Sequence, residues 1–206
     1  MSQAGVQFEI GQVLGRSWEI FKANLGPLLG GFLVMFVIIG ASSAVYIGPI
    51  ILSGPMTLGF YKMARTAVNG QSVEFSDLFS GFQKFLPAFL AYLIIAIFTS
   101  IGMIFCILPG ILVSLVYMPT YLFILDDNLD FWNAMEASRK MVMNNFGQWL
   151  LLLVVLFALN LVGMLACCVG FVVTAPVSIL AITLAYDMER RAARGAVEMP
   201  PLPPSA

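Results

Sequence analysis

The chain has 206 residues, 60% of them hydrophobic, with 17 Phe, 12 Met and only 10 basic and 11 acidic side chains, against about 25% charged residues in an ordinary soluble domain. That balance excludes a soluble globule, whose core could not enclose so much apolar surface. A net charge of −1 and the absence of histidine exclude a basic surface for nucleic acid and the usual imidazole base or metal ligand.

The placement of the charges says more than their number. Lys22 is followed by no charged residue until Lys62, Lys84 by none until Asp126, and Lys140 by none until Asp187, leaving runs of 39, 41 and 46 residues. One crossing of the hydrocarbon layer takes about 20 apolar residues, so each run holds two helices and a turn. The turn signals lie mid-run, in YIGPI at 46–50, CILPGIL at 106–112 and CCVG at 167–170, since Gly and Pro end helices without needing charge. The expected fold is an all-α membrane protein with six transmembrane helices in three hairpins. All charges fall on one side, which the positive-inside rule makes cytoplasmic, with both termini there. Positions 70, 130 and 198 are expected on that side and 48, 108 and 169 on the other.

In chain order, Ile10, Val13, Leu14, Trp18, Phe21 and Leu25 recur at helical spacing opposite Gln12, Arg16, Glu19 and Lys22, predicting a short helix lying at the interface. The run from Leu28 to Ile39, followed by ASSA at 41–44, has the order of a signal peptide, but the long stretch before it and the membrane-like chain after it favour retention. The second crossing, 47–64, is the least regular, because Gly54 and Pro55 interrupt it; we expect a kinked helix that still crosses. A second interfacial segment, FSDLFSGFQKFLP at 75–87, leads into the second hairpin, whose return helix contains Pro119. In the third segment, 127–146, Phe131, Met135, Ser138 and Val142 share a face, while Glu136 and Lys140 are spaced to pair on the wet side. Trp18, Trp132 and Trp149 are expected to anchor at the lipid–water boundary. Pro176 interrupts the last crossing, after which residues 192–206 read as a flexible Pro-rich tail.

The hairpins align with one another at offsets of 60 and 61. NLGP, KFLP and NFGQ open them at 24, 84 and 145, Pro49, Pro109 and Gly170 mark the turns, and Pro55, Leu115 and Pro176 come after these. Residues 1–191 thus read as a single integral-membrane domain of three parallel repeats, at about 8–66, 75–126 and 130–187, with a pseudo-threefold bundle as the closed arrangement.

Few residues suggest chemistry. Cys106, Cys167 and Cys168 sit at the turns away from the charged side and are expected as structural thiols, with a disulfide or a metal as alternatives. Asp126, Asp127 and Asp130, with Glu136 nearby and Asp187 and Glu189 at the corresponding exit of the last hairpin, lack the ligand order of a calcium loop and read as helix-end solvation and capping, with a metal site or catalysis as alternatives. Ser43, Thr99, Thr174 and Ser178 are small polar positions within the hairpins, suited to helix packing or to a narrow lumen, and Pro55, Pro119 and Pro176 are the helix breaks. No catalytic, cofactor or metal site is expected.

NFGQW at 145–149, Gly170, Pro176 and LAYDME at 184–189, together with LSGPMTLGFYKMA at 52–64, resemble a bacterial multispanning integral-membrane family of unknown function, over roughly residues 15–191. The resemblance implies a location in the bacterial cytoplasmic (inner) membrane and roles proposed in envelope support or transport, with no catalytic residues to carry over. The leading expectation is a non-enzymatic scaffold or accessory protein whose partners are membrane lipids and other membrane proteins, with no particular oligomeric state implied. The alternative is a small-solute or lipid transporter or channel, motivated by the Gly and Pro breaks.

Overall fold

The computed structural model describes residues 9–105, 107–165 and 169–195. Cys106, Cys167 and Cys168, and with them the expected structural thiols, lie outside the described residues, as does most of the proline-rich tail. An amphipathic helix α1 (Ile10–Ala23) leads into α2 (Leu25–Ser42), and α3 (Gly48–Val68) returns. Next come α4 (Ser76–Phe79), a 3-10 turn (Ser80–Lys84), α5 (Phe85–Phe105), α6 (Ile107–Val116) and α7 (Thr120–Asp126). The third set is α8 (Phe131–Asn144), α9 (Phe146–Leu165) and α10 (Val169–Ala193).

Two of the helix junctions share one backbone geometry. Asn24, between α1 and α2, has φ −121° and ψ 31°, and Asn145, between α8 and α9, has φ −125° and ψ 40°. A single non-helical residue re-aims the chain from an amphipathic helix into an apolar one, and the Asn24 amide donates to the Ile20 carbonyl at 3.1 Å, satisfying one of the carbonyls that the helix end leaves open.

Five stretches among the described residues are long and apolar enough to cross a membrane: Leu25–Ser42, Ser76–Ile104, Pro109–Asp126, Phe146–Leu165 and Gly170–Ala193. Over their most apolar 18 residues the first, second and fourth bury only 17%, 17% and 22%, the third and fifth 44% and 61%. Thus α2, α5 and α9 are outer helices, whose exposed Phe36, Val37, Ile97, Ile101, Phe157 and Val162 would each forfeit roughly 25 cal/mol per Å² in water. Hydrocarbon removes that penalty. The chain is a helical membrane-associated protein.

The irregular stretch 47–64 lies in α3, a continuous 21-residue helix that runs on past Pro55. It is not among the five spans, because Gly54, Pro55, Lys62 and Arg65 dilute its apolar residues. Burial accounts for that composition. From Ser53 to Val68 most of α3 is enclosed by protein, and a helix surrounded by other helices is selected for close packing rather than for lipid solubility.

The inner helices α3, α7 and α10 touch in pairs. Tyr61 stacks on Tyr121 at 5.5 Å, Phe123 meets Tyr186 edge-on at 5.1 Å, and Arg65 reaches Asp187 at 2.7 Å. Their burial keeps one register: Phe60, Tyr61, Met63 and Ala64, then Thr120, Tyr121, Phe123 and Ile124, then Ala181, Ile182, Leu184 and Ala185 are all buried. These sets are separated by the same offsets of 60 and 61 that relate the sequences.

The amphipathic helices do not merely lie on the surface. Val13, Ser17 and Phe21 of α1 and Ala134, Ser138 and Val142 of α8, each pair 121 positions apart, are buried. Each segment packs on an inner helix: α1 on α10, α4 and its 3-10 turn on α3, and α8 on α7. The α3 contact is backbone to backbone, since a Cβ on Gly59 would run into the Leu78 carbonyl and one on Gly81 into the Pro55 carbonyl.

The stretch from Ile107 to Asp126 is two helices, α6 and α7, with Pro119, one of the residues read as helix breaks, at the N-cap of α7. The exposed carbonyls of that break are taken up by neighbours, Val116 by the Ser138 hydroxyl at 2.7 Å and Met118 by the Tyr61 hydroxyl at 3.4 Å. Trp149 is fully buried rather than anchored at the interface, whereas Trp18 and Trp132 are exposed. Its position shares a face with Leu152 and Leu156, turning the ring inward.

Candidate functional site

The last turns of α3, α7 and α10 bring together side chains from three distant parts of the chain. Arg65 donates to Asp187 at 2.7 Å and reaches Asp126 at 3.0 Å. Arg190 reaches Asp126 at 3.4 Å and Asp127 at 2.7 Å, and Arg191 binds the other oxygen of Asp187 at 2.7 Å. Arg190 also donates to the Tyr186 hydroxyl and lies over the Phe123 and Tyr186 rings at 5.9 and 5.4 Å. Asp187 is almost fully enclosed, and both its oxygens face hydrogen-bonded guanidiniums. With Arg194, these arginines and aspartates line a cavity of about 440 Å³.

Lys84 reaches the end of α7, its ammonium donating to the carbonyls of Ile124 at 2.7 Å and Leu125 at 3.2 Å. It thereby caps that helix, where a cation also offsets the helix dipole. On α10, the buried Glu189 carboxylate accepts the Trp149 indole N–H at 2.7 Å and the Asn145 amide at 2.8 Å, tying the entrance of α9 to the exit of α10. On the exposed face of α8, Glu136 pairs with Arg139 at 2.7 Å and with Lys140 at 3.4 Å, and the Arg139 hydrogen bond holds its carboxyl below the ordinary range.

The small polar residues singled out from the sequence separate into two kinds. Thr174 donates to the Asn160 side-chain oxygen at 3.0 Å, while Ser178 accepts from the Asn160 amide at 2.7 Å and donates to the Thr174 carbonyl at 2.7 Å. This cluster is internal to one hairpin. Ser43, at the C-cap of α2, donates to the Gly40 carbonyl, and Thr99 lies on α5, where its buried hydroxyl has no partner among the described residues. Pro176 lies within α10, which runs on past it.

The sequence grouped Asp126, Asp127 and Asp130 at one helix exit and Asp187 and Glu189 at another. The structure puts Asp126, Asp127 and Asp187 in one cluster and Glu189 in another, while Asp130 stands at the N-cap of α8 and bonds Asn133. It adds Arg65, 122 residues from Asp187, and Asn160, the lone amide in the apolar middle of α9, whose isolation was the available signal. No group of three metal-ligating side chains occurs among the described residues.

No protein-family model, curated protein or solved structure matches the chain. The motifs at 52–64, 145–149 and 184–189 therefore remain a resemblance only, and the functional reading rests on the residues themselves.

Proposed function

We propose that the chain is a non-enzymatic scaffold or accessory protein of a bacterial cytoplasmic membrane, built from three parallel hairpin repeats closed into a pseudo-threefold ring of six crossings. Both termini and the charged end of the bundle face the cytoplasm. The observation that carries this reading is the packed axis: the three inner helices meet through aromatic contacts and ion pairs, and their facing residues are buried in one repeated register. A ring of rigid, mutually covered hairpins suits holding lipid or helix partners on its outer face. The packing of α1, from the first repeat, on α10, from the last, supports closure rather than a line of hairpins.

In this reading the outer helices and the exposed Phe75, Phe79 and Trp132 of the amphipathic segments are the contact surfaces. Photo-crosslinking amino acids placed at Phe79 and Trp132 in cells are expected to give discrete adducts with other membrane proteins. Reconstituted liposomes are expected to show no protein-dependent flux of ions or metabolites. Adducts with lipid alone, together with such a flux that stops on Thr174→Phe, would instead favour the transporter reading, for which the Asn160–Thr174–Ser178 cluster is the motivating feature.

A further inference from the structure

The cavity between the ends of α3, α7 and α10 carries both signs of charge. Four guanidiniums and three carboxylates line its roughly 440 Å³, and they are not all committed to one another. Asp126 uses a single oxygen, Oδ2, for both Arg65 and Arg190, and Asp127 uses only Oδ1. Asp126 Oδ1 and Asp127 Oδ2 thus have no partner among the described residues. Arg194, in the last turn before Gly195 at φ 76°, lines the same cavity with no carboxylate pair among the described residues.

A purely anionic ligand would meet three carboxylates and the partial negative charge at the ends of α7 and α10, and a purely cationic one would meet four arginines. A ligand with a phosphate at one end and a primary ammonium at the other satisfies both sets. The charge-free runs end at Asp126 and Asp187, which puts the cavity at the headgroup level of a bilayer spanned by those runs.

We propose that this cavity binds a phosphoethanolamine group, with Arg194 donating to the phosphate oxygens and the uncommitted carboxylate oxygens of Asp126 and Asp127 accepting from the ammonium. The inference goes beyond the scaffold reading and does not require it. Guanidinium–phosphate and ammonium–carboxylate bonds are charge-assisted and directional. A choline headgroup lacks the N–H donors, and a glycerol headgroup lacks the cation.

The test uses the full chain in phosphatidylcholine nanodiscs doped with phosphatidylethanolamine or phosphatidylglycerol, with native mass spectrometry reading the retained lipid. Retention of phosphatidylethanolamine about tenfold above either competitor is expected, the worth of one to two charge-assisted bonds. Arg194→Gln should reduce retention of both phosphatidylethanolamine and phosphatidylglycerol, Asp127→Asn that of phosphatidylethanolamine alone, and Lys140→Gln, an exposed cation outside the cavity, neither. Soluble phosphoethanolamine, titrated calorimetrically into undoped nanodiscs, forms the second arm. Binding there that is lost in Arg194→Gln, without lipid preference, supports the site with a soluble ligand as its source. Equal retention of the three lipids with no binding of soluble phosphoethanolamine overturns the proposal, as does a preference that survives both substitutions. Enrichment of phosphatidylglycerol over phosphatidylethanolamine would show an anion site and overturn the zwitterion assignment.

Discussion

Replacing Arg65 by Met removes a side chain that bridges two inner-helix ends from a third, leaving Asp187 to Arg191 and Asp126 to Arg190. The side chains of Arg65, Asp126 and Asp187 are 21%, 18% and 5% exposed. Breaking a fully buried ion pair costs about 3–5 kcal/mol, while exposed pairs are worth about 0–1 kcal/mol. Because each aspartate keeps a second guanidinium, a loss of about 2 kcal/mol is the intermediate expectation. For a chain of this size that is an apparent melting temperature lower by about 4–8 °C. The assay is a thermal scan in detergent at one fixed scan rate, since membrane-protein unfolding is rarely reversible, on Arg65→Met, Asp187→Asn and the double variant. Coupling is expected, with the double variant losing less than the sum of the singles. Additivity to within about 0.5 kcal/mol, or an Arg65→Met shift below about 1 °C, would refute the reasoning. Lys140→Gln, which removes an exposed partner of Glu136, should not shift the transition measurably.

Gly59→Ala should destabilise by about 1–3 kcal/mol, because its Cβ meets the Leu78 backbone, which cannot swing aside as a side chain can. Gly15→Ala, with open space around it in α1, should leave the thermal transition unchanged or raise it through helix propensity; equal losses at the two sites would contradict the packing described. Trp149→Phe removes the indole N–H from the buried Glu189 carboxylate and should cost about 1–3 kcal/mol. In single-tryptophan proteins, acrylamide should quench Trp132 readily and Trp149 poorly, and similar quenching of both would place Trp149 back at the interface.

The periodic features of this fold were legible in the sequence because spacing alone reveals them. Charge-free runs of doubled length, the turn signal at 46–50 and the amphipathic spacing at Ile10–Leu25 and Phe131–Val142 each correspond to elements of the structure, while the turns expected at Cys106 and at Cys167 and Cys168 lie outside the described residues. What composition could not show is which side of each helix faces protein. The stretch around Gly54 and Pro55 reads as a weak crossing when judged by apolarity, yet α3 is among the most enclosed helices. Trp149 reads as an anchor because tryptophan at a helix entrance commonly sits at the interface, but its partner Glu189 lies 40 residues away. The charged cluster was half legible. Its aspartates stand at helix exits, where capping is the ordinary reading, and only the pairing of α3 with α10 brings Arg65 to Asp187.

The central claim is that α3 crosses the membrane as an inner helix, so that each hairpin returns to the charged side. Its most direct measurement is side-specific labelling of single cysteines at Tyr46 and Gln71, the exposed positions flanking α3, in a protein lacking the native cysteines. A membrane-impermeant maleimide applied to intact spheroplasts is predicted to label position 46 at once and position 71 only after permeabilisation. Labelling of both positions from the same side would contradict the account.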